Sequence, residues 1–375
     1  MKILFACGGT AGHINPALAV AEELRKRDID TEILFAGNPN GMESRLIPQA
    51  GYAFQPIEVA GLQRKPSLEN VKRNIKAAYL LMKSSKRAKK IISDFQPDIV
   101  MGTGGYVSGP IVRKAHQMGI KTLTHEQNAF PGITTKLLAP NVDRILFAVE
   151  GAKKYFKDDI LAKSEVVGNP VREGVLTVNR EEARERLGIG DKICIVSFGG
   201  SLGASRINDA VKDVIKYHIA EGKIHHIHAT GRYDYKDFID SLKKDDVPFV
   251  NNPNVDIREY IDNMPTCLAA SDLVISRSGA ITLSEIECAG KASILIPSPN
   301  VAENHQYFNA MELVENNAAM ILEEKDLTGE SLTNMVKELC EDRDKLKEVG
   351  TNASKMAIRD SSKRIADIIL QLVND

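Results

Sequence analysis

Short, almost uniformly apolar runs alternate with longer amphipathic segments from one end of the chain to the other. In the first half the runs Lys2–Ala6, Thr31–Ala36, Ile99–Gly102, Lys121–His125 and Arg144–Ala148 predict strands. In the second half Ile193–Phe198, His225–Thr230, Leu273–Ser276 and Ser293–Pro297 do the same. Helical spacing fills the intervals, beginning with Pro16–Leu24. Apolar strands alternating with helices point to an α/β protein with doubly wound parallel sheets. The second half also restarts the scheme of the first, since "ICIVSFGGSLGASRINDAV" repeats the strand, glycine turn and helix of "ILFACGGTAGHINPALAV". Two similar α/β halves are therefore expected, meeting at about Gly168 within the turn-rich linker "VVGNPVRE", where a hinge would leave a cleft between them. Near the end, Ile365, Ile368, Ile369 and Leu372 share a helical face, but periodicity alone does not place that helix.

With 375 residues, 43% of them hydrophobic, disorder is not an option. The five cysteines lie far apart and form no C-x-x-C pair, as expected of buried thiols in a reducing compartment. No signal segment and no apolar run of membrane-spanning length is visible, so the chain is expected to be cytoplasmic in bulk. Net charge is −1 but unevenly placed: Leu62–Ile92 holds ten of the 49 basic residues and only one acid, Glu69. Within that segment Val71, Ile75, Ala78, Tyr79 and Met82 fall at helical spacing, with Lys83, Lys86 and Arg87 among the flanking cations. This composition suits a helix lying on an anionic membrane. Few aromatics are there to stack on bases, which sets nucleic acid aside.

The chemistry gathers where strands end. "CGGTAGH" places Gly8, Gly9, Thr10, Ala11 and Gly12 in a strand-to-helix turn that lacks the G-x-G-x-x-G spacing of dinucleotide folds and adds His13. A second turn, "GTGGYVSGP", brings Gly104, Gly105 and Tyr106 to the same carboxyl edge of the sheet, where open α/β sheets bind ligands. Two such loops can cradle two phosphates. "HEQN", His125 to Asn128, ends another strand, and with His13 it offers acid/base groups and donors for sugar hydroxyls. In the second half "FGGSLGAS" and "SRSGAITLSE" each open a helix: Ser278, Gly279 and Ala280 suit a diphosphate, and Glu285 on the same helix suits a ribose diol. Gln306 and Asn309, three apart, can read sugar hydroxyls. His226 and His228 share a strand face, yet no sequence neighbour completes a metal site, and there is no G-x-S-x-G elbow or Walker A pattern.

Taken in order and spacing, "GGTAGHINPALAVA", "GTGGYVSGP", "HEQNAFPG", "GNPVR", "GGSLGA", "SRSGAITLSE" and "QYFNA" resemble the MurG family of peptidoglycan N-acetylglucosaminyltransferases, over Gly8 to Ala310. The resemblance implies a GT-B fold, two Rossmann-like domains facing each other across a cleft. The acceptor- and membrane-binding domain would span residues 1–167 plus a C-terminal helix at about 355–375, and the donor domain 168–354. It implies UDP-N-acetylglucosamine as donor and the undecaprenyl-diphosphate-linked N-acetylmuramyl pentapeptide, lipid I, as acceptor. The product would be lipid II, formed through an inverted β-1,4 linkage at the cytoplasmic face of a bacterial membrane. Carried over motif by motif, Glu285 would hold the ribose, Ser201 and the Ser278–Ala280 helix start the diphosphate, and the Ile261 backbone the uracil. Thr10, Ala11, Gly12, Asn128, Arg172, Gln306 and Asn309 would surround the sugar and phosphates. Gly9, Gly12, Gly104, Gly105 and Tyr106 would take the acceptor's diphosphate.

Inversion needs one direct attack by a hydroxyl, a base to take its proton, and stabilisation of the departing UDP. His13 is the first choice for base and Glu126 the second. Helix N-termini and Arg172 can hold the leaving group, with no cofactor required and Mg²⁺ at most a stimulant. Other cell-wall synthesis proteins are implied as partners. Ala11 and His305 depart from residues common in the family. The rival readings are a glycosyltransferase with a diacylglycerol acceptor, a UDP-N-acetylglucosamine 2-epimerase, and a nucleotide-sugar sensor.

Overall fold

A computed structural model describes residues 1–59, 83–200 and 202–375. Ser201 and most of the basic segment, including Ile75, Tyr79 and Met82, lie outside the described residues. The chain forms two units: residues 1–171 with 360–375, and residues 172–359.

The first unit holds strands β1 (Lys2–Ala6), β2 (Glu32–Gly37), β3 (Ala53–Pro56), β4 (Ile99–Gly102), β5 (Lys121–Glu126), β6 (Arg144–Phe147) and β7 (Ser164–Val166). They form one seven-stranded sheet in the order β3-β2-β1-β4-β5-β6-β7, and every pair is parallel. Strand order reverses between β1 and β4, which pair Ile3 with Ile99 and Ala6 with Gly102. That reversal opens a crevice at the carboxyl ends of the two strands. Successive β1 residues serve opposite layers. Ile3 and Phe5 pack with helix Ala11–Arg27, whereas Leu4 and Ala6 pack with Ile91, Ile111 and Val112 on the other face. A strand buried on both faces has no polar alternation, hence the uniformly apolar runs.

The C-terminal helix, Ser361–Asn374, belongs to this first unit. Its face Ile365, Ile368, Ile369 and Leu372 packs in the layer of helix Ala11–Arg27, and Arg27 pairs with Asp367. The break between units falls after Val171, a few residues beyond the expected position. Gly168 and Asn169 are bound into the first unit, since the Gly168 carbonyl lies 2.9 Å from His125 Nε2 and Asn169 Nδ2 donates to the Gln127 carbonyl.

The second unit repeats the plan with β8 (Ile193–Phe198), β9 (Ile224–Ala229), β10 (Val255–Arg258), β11 (Leu273–Ser276), β12 (Ala292–Leu295) and β13 (Met320–Ile321). These make a six-stranded parallel sheet in the order β10-β9-β8-β11-β12-β13. Ile195, Ile275 and Ile294 pack against helices Ser205–Glu221 and Gly329–Glu341. The reversal here lies between β8 and β11. Three strands at the sheet edges, β3, β7 and β10, carry no continuous apolar run because none is fully buried, and β13 is apolar but only two residues long.

Candidate functional site

In the first unit the glycine turn is shorter than its sequence suggests. The helix starts at Ala11, with Thr10 in extended conformation before it and Pro16 inside it. The His13 and Ile14 amides bond the Thr10 carbonyl, so the first-turn amides without a helical acceptor are those of Ala11 and Gly12. Those two can meet an anion.

His13 is fixed by the same turn. Its Nδ1 lies 3.0 Å from the Gly8 carbonyl oxygen. A carbonyl only accepts, so Nδ1 carries the proton and the basic lone pair sits on Nε2. Thr103 Oγ1 donates to the His13 carbonyl at 2.7 Å and ties the second glycine loop to the first. Gly105, at φ +76°, approaches so closely that a Cβ would stand 2.3 Å from the Gly8 carbonyl oxygen. Only glycine fits there.

Two amides expected on the acceptor's diphosphate are already taken. Gly9 N–H donates to Glu43 Oε2 at 3.2 Å, and Gly104 N–H donates to the buried Ser108 hydroxyl at 3.1 Å. Both are spent inside the fold, whereas Gly12, beside Ala11, keeps a first-turn amide without a helical acceptor. Tyr106 stands 61% exposed on the second loop.

Glu126 differs most from expectation. It is buried, and its carboxylate accepts from Asn128 N, Asn128 Nδ2 and Gly132 N, each at 3.0 Å, and from Thr135 Oγ1 at 2.5 Å. A carboxylate offers about four lone-pair sites, and here four donors fill them. Glu126 is thus built to order the loop and to present Asn128, and it has no vacant lone pair for a substrate proton. Its neighbours His125 and Gln127 are also interior. His125 Nε2 donates to Gly168 and its Nδ1 accepts from Gln127, while burial lowers the imidazole to about 4, so it stays neutral.

In the second unit Arg172 and Glu285 form a two-pronged ion pair, Nε to Oε1 at 2.6 Å and Nη2 to Oε2 at 2.7 Å. Glu285 is 5% exposed on helix Ala280–Ala289, and the guanidinium holds its carboxylate in one plane. Gly279 precedes this helix in extended conformation, and the buried Ser278 hydroxyl has no hydrogen-bond partner among the described residues. Asn309 is buried and donates to the Ser278 carbonyl at 3.2 Å, which braces this turn. Gln306 accepts from Ser298 N through Oε1. Ile261 is buried, with Tyr260 exposed beside it.

His226 and His228 belong to a buried polar chain. The Ser197 hydroxyl lies 2.7 Å from both, and His218 Nε2 lies 2.9 Å from His226 Nδ1. No cluster that could hold a metal occurs among the described residues. In helix 83–95, Arg87 is engaged by the Pro56 carbonyl and Gln55 Oε1 of β3 and anchors the sheet edge, while Lys83 and Lys86 are exposed. Among the described residues no helix is long and apolar enough to cross a membrane.

Residues 3–147 match the N-terminal domain model of glycosyltransferase family 28, and residues 194–365 match its C-terminal domain model. The chain belongs to glycosyltransferase family 28. Relatives extend the match across the whole length. A protein of Acetivibrio thermocellus, 43% identical over 100% of this chain and 99% of its own, is named UDP-N-acetylglucosamine–N-acetylmuramyl-(pentapeptide) pyrophosphoryl-undecaprenol N-acetylglucosamine transferase. A protein of Caldanaerobacter subterraneus with the same name is 42% identical over 98% of this chain and 99% of its own. Among solved structures, that of Acinetobacter baumannii MurG covers 99% of both chains at 26% identity with a TM-score of 0.77. The two sheets of this family 28 chain thus match a MurG structure, a GT-B architecture. A UDP-N-acetylglucosamine 2-epimerase of Listeria monocytogenes is alike in fold, TM-score 0.68, at 13% identity. Fold alone therefore does not separate transferase from epimerase.

Proposed function

We propose that this protein moves N-acetylglucosamine from UDP-N-acetylglucosamine to the C4 hydroxyl of the N-acetylmuramyl pentapeptide of lipid I, with inversion, giving lipid II. The observation that carries this reading is the similarity to transferases of that name over the entire chain, at 37–43% identity. The epimerase likeness reaches only the fold.

In this reading His13 is the base. Its Nδ1–H is held by Gly8, so Nε2 can take the hydroxyl proton as the oxygen attacks the anomeric carbon and the bond to UDP breaks. Ala11 and Gly12 offer amides to phosphate, and Asn128, held by Glu126, offers a polar group to sugar. On the donor, Glu285 accepts from the ribose diol through the lone pairs that Arg172 leaves open. The Arg172 guanidinium and the helix start at Ala280 meet the charge that grows on the departing diphosphate. The unfilled Ser278 hydroxyl fits a ligand oxygen there. No cofactor is required, and Mg²⁺ at most stimulates. The enzyme works at the cytoplasmic face of the membrane, held peripherally by the basic segment.

The test is His13→Ala. It should lower kcat by roughly 10²- to 10⁴-fold, the usual worth of a general base, with UDP affinity unchanged. Full turnover by this variant refutes His13 as base.

A further inference from the structure

Glu43 had no place in the sequence-based site, yet it lies fully buried directly beneath it. It opens helix Glu43–Gln49 after β2, and its carboxylate reaches under the first glycine turn. Oε1 accepts from Asn38 N at 2.9 Å and Oε2 accepts from Gly9 N at 3.2 Å. The backbone closes tightly around it: a Cβ on Gly8 would stand 2.2 Å from Oε1, and one on Gly41 2.2 Å from Oε2. Charge is costly in such a place unless something uses it.

The Gly9 N–H and the Gly8 carbonyl belong to one peptide group. In a trans peptide they point in opposite directions. One end of that group donates to Glu43 Oε2, and the other accepts from His13 Nδ1 at 3.0 Å. A carboxylate, a peptide and an imidazole therefore form one hydrogen-bonded chain. Hydrogen bonds in series polarise one another. A negative charge at the far end makes the Gly8 carbonyl a stronger acceptor, which holds the proton on Nδ1 and favours the imidazolium that forms when Nε2 takes a proton.

We propose that Glu43 is a positioning residue for His13, acting through the Gly8–Gly9 peptide to fix its tautomer and raise its basicity. The proposal rests on the reading of His13 as base. Thr10 Oγ1 also lies 3.4 Å from His13 Nδ1, a longer contact than the 3.0 Å to the Gly8 carbonyl, and its hydroxyl can accept from the same Nδ1–H. The second glycine loop, Gly102 to Gly105, carries no titratable side chain, nor do the first two turns of helix Ala11–Arg27 apart from His13 itself. On the first loop Cys7 is kept a neutral thiol by burial and by Glu43.

Glu43→Gln keeps the size and removes the charge, with its amide oxygen facing one of the Asn38 and Gly9 N–H groups and its NH₂ the other, so activity, melting temperature and His13 are measured together. Turnover should fall about tenfold or more with KM for both substrates within about twofold, and the acid limb of the kcat profile should move down by roughly half a pH unit. Long-range ¹H–¹⁵N spectra should show His13 as the Nδ1–H tautomer in the wild type and a mixture in the variant. In the wild type, needing no substitution, the Gly9 amide resonance should titrate together with His13. A folded Glu43→Gln protein with unchanged kcat, limb and tautomer overturns the proposal, as does a Gly9 amide indifferent to His13. An active His13→Ala protein would instead refute the base assignment while the tautomer result stood.

Discussion

Exchanging Glu126 for glutamine replaces one oxygen by an NH₂ group, and the four donors around this side chain say what that does. Oε1 faces one fixed donor, Asn128 N–H, and one adaptable partner, the Asn128 amide, which can flip. Oε2 likewise faces the fixed Gly132 N–H and the rotatable Thr135 hydroxyl. Whichever way the new amide turns, its NH₂ opposes one backbone N–H. That leaves a buried donor unsatisfied, at a cost of about 1–3 kcal/mol, and the surviving bonds lose their charge assistance as well. A total near 3 kcal/mol lowers the unfolding temperature of the first unit by about 6–12 °C. Turnover should fall less than tenfold, because Glu126 orders Asn128 and handles no proton. Scanning calorimetry of Glu126→Gln beside steady-state kinetics reads both quantities. An unchanged melting temperature with turnover lowered a hundredfold or more would make Glu126 the base and overturn its assignment as a loop-ordering residue.

The donor site, the interior histidines and the basic helix supply the other tests. If Glu285 accepts the ribose hydroxyls, Glu285→Ala should lose the wild type's preference for UDP over 2′,3′-dideoxy-UDP, measured by calorimetry; a retained preference refutes the assignment. Burial holds His218 at about 4, His228 at about 3 and His226 well below its ordinary value, so the unfolded chain binds more protons than the folded one as pH falls below 6.5. Stability should be complete above that pH and decline on acidification, by up to about 1.4 kcal/mol per pH unit for each histidine, until the folded values are passed. Urea midpoints that stay flat from pH 8 to pH 4.5 would contradict this. Reversing the exposed Lys86, Lys89 and Lys90 to glutamate should weaken binding to anionic vesicles, and added salt should weaken it further in the wild type. Co-sedimentation unaffected by either change would remove this helix from the membrane surface.

Central strands were legible because burial on both faces leaves a run such as Ile3-Leu4-Phe5-Ala6 with no polar interruption. The glycine turns were legible too, because each sits between such a strand and an amphipathic helix. Edge strands such as Val255–Arg258 escaped because partial exposure permits charged residues. The "HEQN" run looked like a surface for sugar since four polar residues in a row rarely face inward, yet three of them are buried and bonded to one another's loops. Glu43 was hidden for a related reason. A glutamate at the start of a helix ordinarily sits in water, and only the tertiary approach of Gly8 reveals that this one does not.

The most direct measurement is transfer of radiolabelled N-acetylglucosamine from its UDP donor in the presence of a short-chain lipid I analogue, diacylglycerol and water, with Glu285→Ala as control. A lipid I transferase puts label on the lipid I analogue alone and loses it in the control. Label on diacylglycerol, or donor bound without any transfer, would contradict that activity.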